Sequence, residues 1–162
     1  MKRVLVILVF LLTQKQLFAQ VAINYFPFQS ILSVSTNTDK RLFADFKMET
    51  NNFISNLNME FSPKFNVKRL EKVNYYAGIG ISINPVNLFA NRPITNGYFI
   101  DFGMRAKPFE KLNKLQIVFE LSPYVNREIN GGNLRTRIGI AWNFSSNINR
   151  QDKTLKNKTI PN

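Results

Sequence analysis

Residues 134–144 read Leu-Arg-Thr-Arg-Ile-Gly-Ile-Ala-Trp-Asn-Phe, and the two sides of that stretch suit different solvents. Leu134, Ile138, Ile140, Trp142 and Phe144 fall on one side, with Arg135, Arg137, Gly139, Ala141 and Asn143 on the other. Side chains on a strand alternate with a period of two. The pattern therefore predicts a strand with one apolar face, ending in two aromatics, and one polar or small face. An apolar outside and a polar inside describe a strand of a transmembrane barrel. After residue 20 no apolar run approaches the ~20 residues that a membrane helix needs. A membrane protein made from this chain has to close a barrel, in which every backbone polar group finds a partner within the sheet.

The alternation recurs upstream. Leu115, Ile117, Phe119, Leu121 and Val125 oppose Gln116, Glu120, Ser122 and Tyr124; Tyr98, Ile100, Phe102, Met104 and Ala106 oppose Asp101, Gly103, Arg105 and Lys107. Val73, Tyr75, Ala77, Ile79, Ile81 and Ile83 oppose Asn74, Tyr76, Gly78, Gly80 and Ser82. Phe53, Leu57, Met59, Phe61 and Phe65 oppose Asn56, Asn58, Glu60, Ser62 and Lys64, and Leu42, Ala44, Phe46 and Met48 oppose Asp45, Lys47 and Glu49. Each segment is about ten residues, the length a tilted strand needs to cross the hydrocarbon layer. Turn-forming residues separate the segments at 37–39, 51–52, 64–72, 84–96, 108–114 and 126–133. Single-chain bacterial barrels normally have an even number of strands. One strand within 21–35 makes the count odd; two short ones, 21–25 and 29–35, turning at Phe26-Pro27-Phe28, bring it to eight. The predicted fold is all-β: an antiparallel up-and-down transmembrane β-barrel of eight strands over residues 21–144. A soluble sandwich or lipocalin-like barrel also alternates, with its apolar face inside. Even spacing, aromatics at strand ends, and glycines with opposite charges on the polar faces favour the membrane barrel.

Residues 1–20 carry a separate signal. Lys2 and Arg3 precede an apolar run from Val4 to Leu12, and Leu17-Phe18-Ala19-Gln20 follows. Such a run is too short to span a bilayer, so the expectation is a secretory signal cleaved after Ala19 or Gln20, with an N-terminal anchor as the alternative. The cleavage region resembles those of Bacteroidetes-type exported proteins. The chain has no cysteine, which excludes a lipidated cysteine, a disulfide and a thiolate metal site. Its formal charge is +12. The lysines gather in turns and towards the C-terminus rather than along one face between aromatics. This argues against a nucleic-acid partner and fits solubilising turns attracted to anionic lipid headgroups or surface polymers. Residues 145–162, rich in Asn and Lys, show neither apolar period and are expected to be a disordered basic tail. With both barrel ends in the periplasm, the turns at 36–40, 64–72 and 108–114 face inward to it, and those at 51–52, 84–96 and 126–133 face outward.

The closing segment also resembles the C-terminal assembly signal of outer-membrane β-barrel proteins: a polar residue, a glycine two on, then aromatics three and five beyond the glycine. Arg137, Gly139, Trp142 and Phe144 occupy those positions. The chain is similar to OmpA-type transmembrane domains and OmpX-like proteins. The resemblance implies a location in the cell outer membrane, with outer-membrane lipid and the barrel-assembly machinery as partners. It leaves room for another envelope protein or a surface polymer.

Histidine is absent from the chain. Enzymes on small outer-membrane barrels, such as lipid A acyl-modifying enzymes, phospholipases and omptin-type proteases, use a histidine as base or as partner to the nucleophile. No catalytic residue is therefore expected. No cofactor or metal is expected either, since ligation would rest on carboxylates and carbonyls and no Asp-rich loop of calcium-binding spacing is present. What remains is charge of both signs on the inward faces: Asp45, Lys47, Glu49, Glu60, Asp101, Arg105, Glu120, Arg135 and Arg137. Eight strands leave an interior just wide enough for side chains to fill, and unpaired buried charge is costly. These residues predict an ion-paired plug, with a proton or ion path as the alternative. Gly78, Gly80, Gly103 and Gly139, on the same faces, leave room for neighbours such as Tyr76, Phe99 and Tyr124. The longest outward loop offers Leu88, Phe89 and Arg92 for external recognition, or forms a lid over the barrel mouth. The expected function is that of a non-enzymatic small outer-membrane barrel with a structural, adhesive or accessory-subunit role. The alternatives are a narrow channel or transport component, and a soluble periplasmic barrel holding a hydrophobic ligand in an apolar interior.

Overall fold

Strands form where the two-residue alternation persists, and each pairs with its neighbours in the chain. The computed structural model describes residues 21–51, 57–112 and 114–144; the expected signal peptide and basic tail lie outside the described residues. Eight strands occur among the described residues: β1 (Ala22–Phe26), β2 (Ile31–Ser35), β3 (Leu42–Glu49), β4 (Met59–Arg69), β5 (Val73–Ile83), β6 (Thr95–Ala106), β7 (Leu115–Asn126) and β8 (Gly132–Asn143). All pair antiparallel in sequence order, and β1 meets β8 through Ala22↔Asn143 to Tyr25↔Ile140. The fold is a closed up-and-down barrel. At ~3.3 Å per residue and a tilt of ~40°, the 12-residue strands stand roughly 30 Å tall, comparable to a hydrocarbon core.

The two faces sort as the alternation predicts. Phe61, Ile79, Ile100, Phe102, Ile138 and Ile140 lie exposed on the outer wall, while Asp45, Asp101, Arg105, Glu120 and Arg137 are buried inside. Glycine has a definite task at two inner positions. A Cβ on Gly103 would strike the Tyr76 ring, and one on Gly80 would strike the Phe99 ring, so each glycine seats an inward aromatic from the neighbouring strand.

Several boundaries differ from the sequence expectation. β4 runs on to Arg69, and the turn placed at 64–72 shrinks to Leu70–Lys72, closed by Leu70 N–H donating to Val73 O at 2.9 Å. The basic residues Lys64, Lys68 and Arg69 resemble turn composition, yet Phe65 and Val67 keep to the outer face while Lys64 and Asn66 point inward. At its other end β4 starts at Met59, so the connection expected at 51–52 spans 50–58, and Phe53 lies outside the described residues. β6 starts at Thr95 rather than Tyr98. Pro63 and Pro123, which have no N–H to donate, sit mid-strand, and cross-strand pairing lapses between Phe61 and Lys64 and between Phe99 and Phe102. β1 and β2 are only five residues long. Beyond Tyr25 no strand among the described residues flanks β8 on that side, and Gln29 Nε2 instead donates to Thr136 O at 2.9 Å.

Candidate functional site

The inward faces meet in a core of charge. Glu120 on β7 accepts from Lys47 on β3, from Lys64 on β4 at 2.5 Å, from Arg137 on β8 at 3.2 Å and from the Tyr76 hydroxyl on β5 at 3.0 Å. Asp101 on β6 receives Lys47 at 3.2 Å, Ser62 at 3.2 Å and Ser122, and lies 3.0 Å from Lys64. Asp45 on β3 takes Lys64 at 2.8 Å, Ser35 at 2.8 Å and Ser33. Strands on opposite sides of the barrel are thus tied through two lysines. Towards the loop end, Glu60 accepts both Arg137 Nη2 bonds (2.9 and 3.0 Å) and one from Arg135 (2.6 Å). Arg135 also lies over the Tyr124 and Phe99 rings, at 4.3 and 5.2 Å. Towards the terminal end, Arg105 donates to Asn24 at 2.7 Å and Ser35 at 3.3 Å and packs over Phe43 and Tyr76, both at 5.5 Å.

The lumen buries four carboxylates, Asp45, Glu60, Asp101 and Glu120, and four cations, Lys47, Lys64, Arg105 and Arg137. The balance explains how so many ions coexist: each carboxylate has cations or hydroxyls around it, and the set is neutral before the partly exposed Arg135 is added. At mid-height these side chains fill the interior; none is reached by bulk water to more than 5% of its surface. Most of these charges are held in mutual pairs. The interior is not the apolar cavity that a carrier of hydrophobic ligands requires: Ile138, Ile140 and Trp142 all lie outside.

The terminal end has its own closure, which sequence reasoning missed. The β2–β3 turn folds inward, burying Thr38 completely. Asn143 donates to Thr38 Oγ1 and Asp39 Oδ2, both at 3.2 Å; Lys107 reaches Asp39 Oδ1 at 3.0 Å, and Asn66 donates to Thr38 O at 2.9 Å. Thr38 and Asp39 thereby contact β4, β8 and the residue following β6.

The structure brings together Asp45, Lys47, Glu60, Asp101, Glu120, Arg135 and Arg137, while Arg105 sits one layer below, bonded to neutral partners. Glu49 lies near the loop end and accepts from Asn58 at 3.0 Å. Lys64, placed from sequence at the end of an inward face and the start of a turn but outside the expected ion-pair network, belongs at its centre. The signal that finds it is the run Phe61-Ser62-Pro63-Lys64-Phe65-Asn66-Val67, whose alternation never lapses. Of the residues resembling an assembly signal, Arg137 is held by Glu60, Glu120 and Ser122, and Gly139 faces the Phe26 ring. Trp142 pairs with Ile23 and Leu115, and Phe144 N–H donates to Val21 O at 2.9 Å. All four belong to the seam that closes the barrel or the plug behind it.

In the loop between β5 and β6, Asn84 caps a 3-10 helix (Pro85–Leu88) by accepting from Val86 N–H at 3.1 Å. Phe89 is 93% exposed, so this loop does not pack its apolar residues over the mouth as a lid would. Leu88 is also exposed, and Arg92 borders a polar groove of about 380 Å³ with Asn87, Asn96, Asn126 and Arg127.

Together these features define the class: a closed eight-stranded antiparallel barrel with an ion-paired, filled interior and an apolar exterior. Compared with known proteins, the chain matches no family model, no curated protein and no solved structure.

Proposed function

We propose that this protein is a small outer-membrane β-barrel without enzymatic activity, serving a structural, adhesive or accessory-subunit role in the cell envelope. The observation that carries the reading is the inversion of the usual soluble arrangement: isoleucines and phenylalanines cover the outer wall while ionised side chains fill the interior. Water is a poor solvent for such an exterior, and a lipid bilayer is a good one. The absence of histidine supports the non-enzymatic part, and the locked ion pairs support a barrel that holds its shape rather than one that passes solutes. External contacts then fall to the loop end, where Phe89 and Leu88 project beside Arg92. Envelope fractionation tests the reading. The protein is expected in the outer-membrane fraction and is expected to migrate differently on gels before and after boiling. Recovery as soluble periplasmic material without that heat-dependent shift would overturn it.

A further inference from the structure

Charge is divided unevenly between the two ends of the barrel. At the end holding the termini, the β2–β3 turn carries Asp39, Lys40 and Arg41; the β4–β5 turn and the strand end before it carry Lys68, Arg69, Glu71 and Lys72; and the β6–β7 turn carries Lys107, Glu110, Lys111 and Lys114. That is eight cations against three carboxylates. Two of the carboxylates are already engaged, Asp39 with Lys107 at 3.0 Å and Glu110 with Lys72 at 2.7 Å. At the opposite end the described loop residues and strand ends hold two cations, Arg92 and Arg127, and two carboxylates, Glu49 and Glu128. The lumen charges are largely buried, so among the described residues most of the excess positive charge exposed to the surroundings lies in one collar.

Apolar groups accompany this collar. Phe109 and Leu112 are exposed in the β6–β7 turn, Trp142 is exposed at the adjoining strand end, and Arg41 lies over the Phe65 ring at 5.1 Å. Long cationic side chains beside exposed aromatic and aliphatic groups suit the boundary of a bilayer, where stems lie along apolar surface and charged tips reach headgroups. The cations are spread over three successive turns around the rim rather than gathered in one patch, which fits a continuous lipid surface better than a single acidic protein.

We propose that this collar binds anionic phospholipid headgroups in the leaflet at the terminal end of the barrel, an inference that rests on the membrane-barrel reading above. Trp142 is the chain's single tryptophan and lies outward, paired with Leu115 next to Lys114. The full-length barrel is reconstituted in vesicles of acyl-brominated phosphatidylcholine diluted with unbrominated phosphatidylcholine or phosphatidylglycerol, and quenching of Trp142 is measured. Phosphatidylglycerol should displace the brominated lipid with a relative affinity at least about twofold above that of phosphatidylcholine at low salt. The preference should fall towards one at ~1 M salt, where the screening length is only ~3 Å, and in the exposed-turn variant K111Q/K114Q. Equal relief of quenching by the two lipids, or a preference that survives both salt and substitution, overturns the collar alone. Absence of quenching in pure brominated phosphatidylcholine overturns the membrane-barrel reading, and the collar with it.

Discussion

Replacing Glu120 by Gln removes one charge from the centre of the plug while keeping the side chain's size. In the native protein this carboxylate receives Lys47, Lys64, Arg137 and the Tyr76 hydroxyl, all within the barrel. Loss of the charge leaves four buried cations and three buried carboxylates in the lumen, and the new amide N–H₂ points among donors. Removing one partner of a buried ion pair costs about 3–5 kcal/mol, because the remaining charge stays desolvated and uncompensated. Glu120 has three cationic partners, which argues for the upper part of that range, while Asp45 and Asp101 still neutralise the two lysines and argue against exceeding it. Equilibrium unfolding in denaturant of the barrel reconstituted in vesicles, followed by Trp142 emission, measures the loss. The double variant E120Q/K64M restores equal numbers of buried charges. It should be less destabilised than the sum of its single variants by at least ~1 kcal/mol, within the usual range for residues in one network. An E120Q variant within ~1 kcal/mol of wild type, or strict additivity in the cycle, would refute the claim that the plug is held by mutual charge compensation.

Other outcomes follow from the same geometry. Gly103→Val drives a branched side chain into the Tyr76 ring and should cost about 1–3 kcal/mol by overpacking, measured by the same unfolding assay; Thr136→Val on the outer wall should be nearly neutral. Purified barrel in a planar bilayer should be electrically silent, and stepwise single-channel conductance would contradict the locked lumen. In the exposed terminal-end turns, the hydrogen bond and charge of Lys72 hold the Glu110 carboxyl below its ordinary value, and the bond to Glu110 raises Lys72. This pair's small contribution is thus present between the two ordinary values. It is lost as pH falls through the depressed Glu110 value or rises through the elevated Lys72 value. Carboxyl NMR titration should show the Glu110 value returning to the ordinary range in K72M.

The barrel was legible because a period of two is a strong signal when it persists for ten residues and the opposite faces differ in polarity. β3 and β5 begin and end where the alternation of Leu42–Glu49 and Val73–Ile83 does. The two short strands expected on either side of Phe26-Pro27-Phe28 follow from the parity of the strand number instead, and Phe26 itself ends β1. β4 was harder to bound because composition and periodicity disagree there: Pro63, Lys64 and Lys68 look like turn residues, yet a lysine inside a polar lumen is as much a strand residue as a glutamate is. The inward charges were visible residue by residue, but their partners were not. Which lysine meets which carboxylate depends on strand tilt and register, and these place Lys64 of β4 within reach of both Asp45 and Glu120. The inward fold of Thr38 and Asp39 has no periodic signature at all, since a short polar turn reads alike whether it points to solvent or across the barrel.

A membrane barrel requires the outer face of the wall to meet lipid. Ile140 is 57% exposed on the outer surface and its neighbour Ala141 is 1% exposed in the lumen, and the chain has no native cysteine to interfere. Single cysteines at the two positions, treated in vesicles with a thiol reagent confined to the lipid phase, should give labelling of Ile140→Cys and none of Ala141→Cys. Labelling of neither, or of Ala141→Cys in preference to Ile140→Cys, would contradict a barrel whose apolar face is turned to the membrane.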